Sequence, residues 1–287
     1  MTYNIQPGTA DLRSTYVDKF VKGFALQNYK FKQALRVSST SSWNSEFYRE
    51  KPEDLTASGN RTVKGVPRGA AFPQAFVKWD KLKSTIKKYG LAQSIPWEDS
   101  ISSEINVDQR VLLRISRGVV KSVDDGILDT IRADGEIITF TAQENWDAAT
   151  TYILDDLEEA EQKIAENNYD TSTLWIYVSP KAKRYVVKYL ISQGQKLSDL
   201  ANKTVQDPNG KIGTIGNKTF IVSNSLKDIK EAIVLVPKMG GEWEELVSLT
   251  TAVIQEKLKD TMIKAAELGR TKITDPKTFV KVTGVFA

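Results

Sequence analysis

Val107, Val111, Leu112, Ile115, Val119, Val123, Ile127, Leu128 and Ile131 recur at spacings of three and four. That is the period of one face of an α-helix. Asn106 is placed to cap its start, and Asp134-Gly135 to end it. Roughly 25 residues at about 1.5 Å each make a rod of about 38 Å, more than twice an average globular helix. A rod of that length must be held by packing along its whole apolar face. Gly118 and Gly126 lie inside it, each expected to cost about 1 kcal/mol relative to alanine. Asp108, Arg110, Arg114, Arg117, Lys121, Asp124, Asp125 and Asp129 are expected on its wet side.

The chain after the rod reads as a separate α/β unit. Residues 145–167 predict a helix whose stripe is Trp146, Ala149, Ile153, Leu157, Ala160 and Ile164, with Asp155, Asp156, Glu158, Glu159 and Glu161 on the other side. Residues 174–178 (Leu-Trp-Ile-Tyr-Val) predict a strand, and Pro180 opens a helix to about residue 193. Asp207-Pro208-Asn209-Gly210-Lys211 signals a hairpin or loop tip. Residues 220–222 and 232–236 predict short buried strands, and 238–241 a loop. Strand patterns at 243–257, 260–268 and 279–286 close the chain.

Before the rod the pattern is weaker. Leu12, Tyr16, Phe20 and Phe24 recur every four residues and predict a helix over 11–24, too poor in apolar residues for a core of its own. It reads as an arm lying on another surface. Residues 29–35 alternate partly, as a strand does. From 37 to 73 turn formers dominate, with a Ser/Thr run at 38–42, Lys51-Pro52, Ser58-Gly59-Asn60 and Val66-Pro67-Arg68-Gly69. So long a loop is uncommon in a compact domain unless it has a function. Folded as a projecting hairpin, it leaves Trp43, Phe47, Tyr48, Lys64 and Arg68 in need of a partner surface, since an isolated hairpin is marginal in water. The plainer alternative is a floppy surface loop. Residues 76–89 predict a strand.

Among the 287 residues there is no cysteine and no histidine. Disulfides, thiolate ligands and a cysteine nucleophile are excluded, and the usual neutral-pH base and commonest metal ligand are missing. No apolar stretch approaches the ~20 residues that span a bilayer, and residues 1–10 lack signal-peptide features, so folding in a cytosol without targeting is expected. The formal charge of +4 conceals segments of +9 (residues 1–90), −12 (91–170) and +7 (171–287). Such segments can meet within one chain or between copies. The basic residues are diffuse and not interleaved with aromatics, which argues against sequence-reading of nucleic acid. Gly210-Lys211-Ile212-Gly213-Thr214-Ile215-Gly216 lacks phosphate-loop spacing. Glu158, Glu159 and Glu161, like Asp124 and Asp125, read as solvated faces and not as cation sites. No catalytic, cofactor or metal residue is expected.

The order of arm, long basic loop, very long helix, α/β unit and strand-rich end resembles the major capsid proteins of tailed bacteriophages and related archaeal viruses, the fold of the Hong Kong coliphage. The resemblance is carried by Ser102-Ser103-Glu104 leading into the helix to Arg132-Ala133-Asp134-Gly135, by residues 174–180, and by residues 215–224 (Ile-Gly-Asn-Lys-Thr-Phe-Ile-Val-Ser-Asn). It implies an α+β fold with an N-terminal arm (1–35), an extended loop (36–90), a peripheral domain with a spine helix (91–144), an α/β axial domain (145–240) and a return to the peripheral domain (241–287). It implies further that copies assemble as pentamers and hexamers into an icosahedral shell around double-stranded DNA, as a virion capsid assembled in the host cytoplasm. Expected partners are other copies, a portal protein and separate scaffolding or decoration proteins, with no membrane and no cofactor. Phe20, Phe24, Trp43, Lys51, Lys64 and Arg68 are the expected inter-subunit contacts. No asparagine follows Asn224, so the acceptor of the lysine–asparagine isopeptide bond of some relatives is missing and non-covalent holding is expected. Three rivals remain at this point: an encapsulin-like shell around a protein cargo, an unrelated carboxylate enzyme such as a glycoside hydrolase, and a non-viral scaffold protein.

Overall fold

The computed structural model describes residues 17, 19, 21–22, 29–50, 68–69, 79–96, 98, 107–148, 153–192, 211–256 and 260–286. Along the chain come α1 (Phe31–Ala34), β1 (Arg36–Ser39), β2 (Asn44–Glu50), β3 (Trp79–Thr85), β4 (Lys87–Pro96) and the long α2 (Val107–Ala133). There follow β5 (Ile138–Thr141), α3 (Ile153–Ala165), β6 (Leu174–Val178), α4 (Pro180–Ser192), β7 (Lys211–Ile215), β8 (Lys218–Val222) and β9 (Glu231–Leu235). The long strands β10 (Gly241–Glu256) and β11 (Asp260–Ile273), then β12 (Phe279–Thr283), complete an α+β fold with mixed sheets.

A four-stranded sheet runs in the order β1-β10-β11-β4, with β1 parallel to β10 and the other pairs antiparallel. Helix α2 lies along one face of it. The predicted stripe from Val111 to Ile131 is buried in one cluster together with Ile95, Leu249, Ile263 and Ala265 of the sheet. The two glycines of α2 now have a reason. A Cβ on Gly126 would stand 2.4 Å from Tyr89 Oη, and one on Gly118 2.8 Å from Leu91 Cδ2. Helix and strand approach closely because those side chains occupy the glycine notches. At the far end Lys281 Nζ donates to the carbonyls of Arg132 and Asp134, both at 3.2 Å, and so closes the C-terminus of the rod.

A six-stranded sheet runs β5-β12-β9-β6-β8-β7. Its central strands β9, β6 and β8 are buried on both faces. Tyr177, Ile221, Ile233, Leu235 and Phe279 point into the α2 cluster. Their neighbours Ile176, Phe220, Ala232, Val234, Val280 and Val282 point into a second cluster, closed by Ile153, Leu157, Ala160 and Ile164 of α3 and Ala182 and Val186 of α4. β5 and β12 enter this sheet from outside residues 145–240. A third, two-stranded sheet pairs β2 with β3, the base of a hairpin.

Five readings of the sequence change. The single strand expected at 76–89 is two, β3 and β4, which part at Ile86 into different sheets. Asp156, expected on the wet side of its helix, is 1% exposed. Residues 29–35 do not form a strand: Phe31–Ala34 is a helical turn and Leu35 turns the chain into β1. Of the helix expected at 145–167, residues 145–148 are a turn and the described helix is Ile153–Ala165. Trp146 sits in the preceding turn because its Nε1–H donates to Asp156 (2.8 Å), which also accepts the Gln143 N–H (3.0 Å). Burial, set against those two bonds, pushes the Asp156 carboxyl above its ordinary range. Asp124 is not on the wet face of α2 but only 3% exposed. The loop tip expected at 207–211 lies, apart from Lys211, outside the described residues.

Candidate assembly surfaces

Residues 29–35 act as a key between the three large elements. On the α2 side, Asp124 Oδ2 accepts the Lys30 N–H at 2.8 Å, and its Oδ1 accepts those of Phe31 and Lys32 at 3.2 and 3.3 Å. The carboxylate thus serves the free donors at the start of α1, where no local side chain does. On the four-stranded sheet, the fully buried Glu267 accepts Tyr29 Oη–H (2.5 Å), Lys32 Nζ (2.7 Å) and Trp243 Nε1–H (3.1 Å). Lys32 also meets Glu245 at 2.5 Å. On the six-stranded sheet, Tyr177 stacks on Phe31 (4.3 Å between centroids) and donates to the Lys30 carbonyl at 2.9 Å.

The key is held at an electrostatic cost. Burial raises the Asp124 carboxyl to about 7 against the pull of its backbone donors and Lys30. Burial and the neighbouring Glu267 push the Tyr29 phenol far up. The leading segment is therefore anchored on its own subunit at 29–35, and Val17 and Val21, also buried in the α2 cluster, extend that contact. The expectation of an arm without intramolecular support is corrected to this extent.

The hairpin is rooted in the same way. Arg49, on the inward side of β2, reaches Asp134 at 2.5 Å, Glu136 at 3.1 Å and the Ile273 carbonyl at 2.8 Å. From β11, Arg270 Nη1 donates to the carbonyls of Trp43 and Ser84, each at 3.1 Å. Lys272 Nζ donates to Ser45 Oγ at 3.1 Å. Glu244 gathers both cations: burial pulls its carboxyl up, but Lys272 and Arg270 outweigh this and hold it below the usual range. Period-two alternation then puts Glu46, Tyr48, Trp79, Lys81 and Lys83 on the outer face. Tyr48 is 58% and Trp79 51% exposed.

Of the expected contact residues, Trp43 immediately precedes β2 and is 52% exposed, and Arg68 is exposed in a turn beside Gly69. Phe20, Phe24, Lys51 and Lys64 lie outside the described residues. The anchors Asp124, Glu267, Arg49, Arg270 and Lys272 were not foreseen; the one hint was that several charges fell on the apolar parity of their elements. Among the described residues no group of three or more His, Cys, Asp or Glu could hold a metal. The glycine-rich stretch folds into β7, a turn with Gly216 at φ 58, and β8, which is not a phosphate loop. No described helix is long and apolar enough to cross a membrane.

A family model described as phage capsid protein matches residues 80–282. Among solved structures, the chain is similar to a virus-like particle from Pyrococcus furiosus at TM-score 0.63 and 13% identity, over 94% of this chain and 99% of that one. The capsid of cyanophage P-SCSP1u aligns at TM-score 0.61 and 11% identity, over 91% and 89%. The mature capsid of bacteriophage PhiM1 aligns at TM-score 0.59 and 17% identity, over 89% and 87%. No curated protein sequence matches the chain.

Proposed function

Because this chain belongs to the phage capsid protein family, we propose that it is the major building block of a closed, non-catalytic shell around double-stranded DNA, assembled from pentamers and hexamers. The observation that carries this reading is the hairpin. Its root is fixed by buried ion pairs, while its outer face offers two large aromatic side chains to solvent. A rigidly aimed, sticky projection is what a subunit needs to grip a neighbour in a lattice.

In this reading α2 is the spine of a peripheral domain built with the four-stranded sheet. The six-stranded sheet with α3 and α4 forms the axial domain, drawing β5 and β12 from the flanking segments. Residues 1–35 are the arm and 36–90 the extended loop. Phe20, Phe24, Trp43, Lys51, Lys64 and Arg68 make contacts between subunits. A portal protein, and separate scaffolding or decoration proteins, complete the particle in the virion.

Electron microscopy of the purified chain tests the proposal. Isometric shells or capsomers are expected, with long duplex DNA recovered from particles made in the host. The double variant Lys64→Glu/Arg68→Glu should stay folded and fail to assemble. An unmodified chain that remains monomeric at every concentration overturns the function; particles filled with a protein cargo favour the encapsulin-like rival. Normal shells from the variant remove Lys64 and Arg68 from the contact.

A further inference from the structure

Helices α3 and α4 cover the same face of the six-stranded sheet and bury their apolar sides in one cluster. Their outer sides are opposite in charge. Helix α4 carries Lys181, Lys183, Arg184 and Lys188 and no acidic residue. None of Lys183, Arg184 and Lys188 has an ion pair with a described residue. Within one subunit this arrangement is unfavourable: Lys181 and Lys183 stand at the positive end of the helix dipole, and Arg184 and Lys188 are like charges one turn apart.

Helix α3 is the counterpart. Asp155 has no ion pair with a described residue, Glu158 keeps 65% of its side chain exposed while pairing with Lys218, and Glu159 meets only Lys163 of its own helix at 3.1 Å. An open hollow of about 680 Å³ runs along this acidic side. Among the described residues no ion pair joins α3 to α4.

We infer that the basic outer side of α4 in one copy docks against the acidic outer side of α3 in the next, a head-to-tail contact repeated around each ring. This rests on the shell reading above and names a surface for it. Two different, complementary patches on one chain are what a heterologous contact requires. A cation would serve the acidic side and leave the basic one unexplained; DNA would serve the basic side and be repelled by the acidic one. Charges so placed set register and encounter rate more than raw affinity, and salt should weaken them.

Two variants test it: Arg184→Glu/Lys188→Glu on α4 and Asp155→Lys/Glu159→Lys on α3. Each alone should lower the yield of shells at least tenfold at low salt, with the circular dichroism of the subunit unchanged. An equal mixture of the two should recover six-membered rings, in which alternating copies present opposite charges at every contact, and not five-membered ones, where alternation cannot close. If the glutamate variant misfolds, Arg184→Gln/Lys188→Gln serves in its place, with a smaller loss expected. Normal assembly of either single variant, or no recovery in the mixture, overturns the inference. So does an α4 variant that builds shells and loses only DNA. An unmodified chain that builds no shell overturns instead the reading beneath it.

Discussion

The central strands β12, β9, β6 and β8 of the six-stranded sheet are covered on both faces, whereas the four-stranded sheet is covered mainly on one. Helix α2 covers that face. On the other, the root of the hairpin reaches over Arg270 and Lys272 and stops. Beyond it the rows Val247–Leu268–Lys88, Thr250–Ala266–Gly90, Ala252–Lys264–Ala92 and Ile254–Met262–Ser94 are uncovered by any described element. Val247 is 37% and Ile254 46% exposed, on a mixed face where Ala92, Ala252, Ala266 and Met262 alternate with Lys88, Lys264, Thr250 and Ser94. The contrast is physical: the described residues complete the burial of the central strands of one layer, and leave part of the other open, apolar positions included, as interaction sites are.

The hairpin root is the place to break that contrast. Replacing Arg49 with alanine removes the partner of Asp134, whose side chain is 11% exposed, and of the Ile273 carbonyl. Deleting one member of a buried pair costs about 3–5 kcal/mol. The dissociated subunit should lose that much in denaturant unfolding, and amide exchange should quicken across β2 and β3. A loss below about 1 kcal/mol, the ordinary size for a point change, would show that the root is held by something else.

The key between the sheets yields the next effect. With no histidine in the chain, few side chains titrate between pH 5 and 8, and Asp124 at about 7 is one of them. Its folded pKa lies above the unfolded value of about 3.9, so the folded state binds the proton more tightly. The share of the stability that this proton carries is therefore full below about pH 4 and falls as pH rises towards 7. Over the whole interval this amounts to about 4 kcal/mol, of which about 2 to 3 falls above pH 5. Asp124→Asn should flatten most of that slope, leaving the smaller contribution of the raised Asp156. An unchanged slope in the variant would remove Asp124 as its source.

Periodicity made much of this architecture legible. The α2 stripe, the strand 174–178, the helix opened by Pro180 and the long closing strands all follow from side-chain period and turn residues. What it hid were contacts in which a polar group overrides the period. Asp124 sits among charged neighbours in sequence, and only the distant amides of 30–32 show why it is buried. Gly118 and Gly126 read as defects until Leu91 and Tyr89 fill their notches. Arg49 lies in a turn-rich stretch whose alternation is too short to reveal an inward face. Sheet membership of β5 and β12 depends on long-range pairing, which no local window reports. The hairpin with its aromatic and basic load was anticipated as a projection; its anchoring was not.

The smallest expected effect on the subunit is the most telling about its use. Tyr48→Ser/Trp79→Ser removes two aromatic rings from the outer face of the hairpin, where each is more than half exposed. They are diagonal neighbours across β2 and β3, so some mutual contact is lost, but no buried group is orphaned. Denaturant unfolding of the subunit should change by about 0.5 kcal/mol or less per site. Aromatic side chains dominate protein interfaces because they bury large area with few rotatable bonds. If they seat on the bare face of a neighbouring copy, shells should fail to form or fall apart on dilution, although the purified chain is as stable as before. A destabilised subunit would place these rings in the fold and not in the lattice; stable subunits forming normal shells would leave the uncovered half of the four-stranded sheet to some other segment.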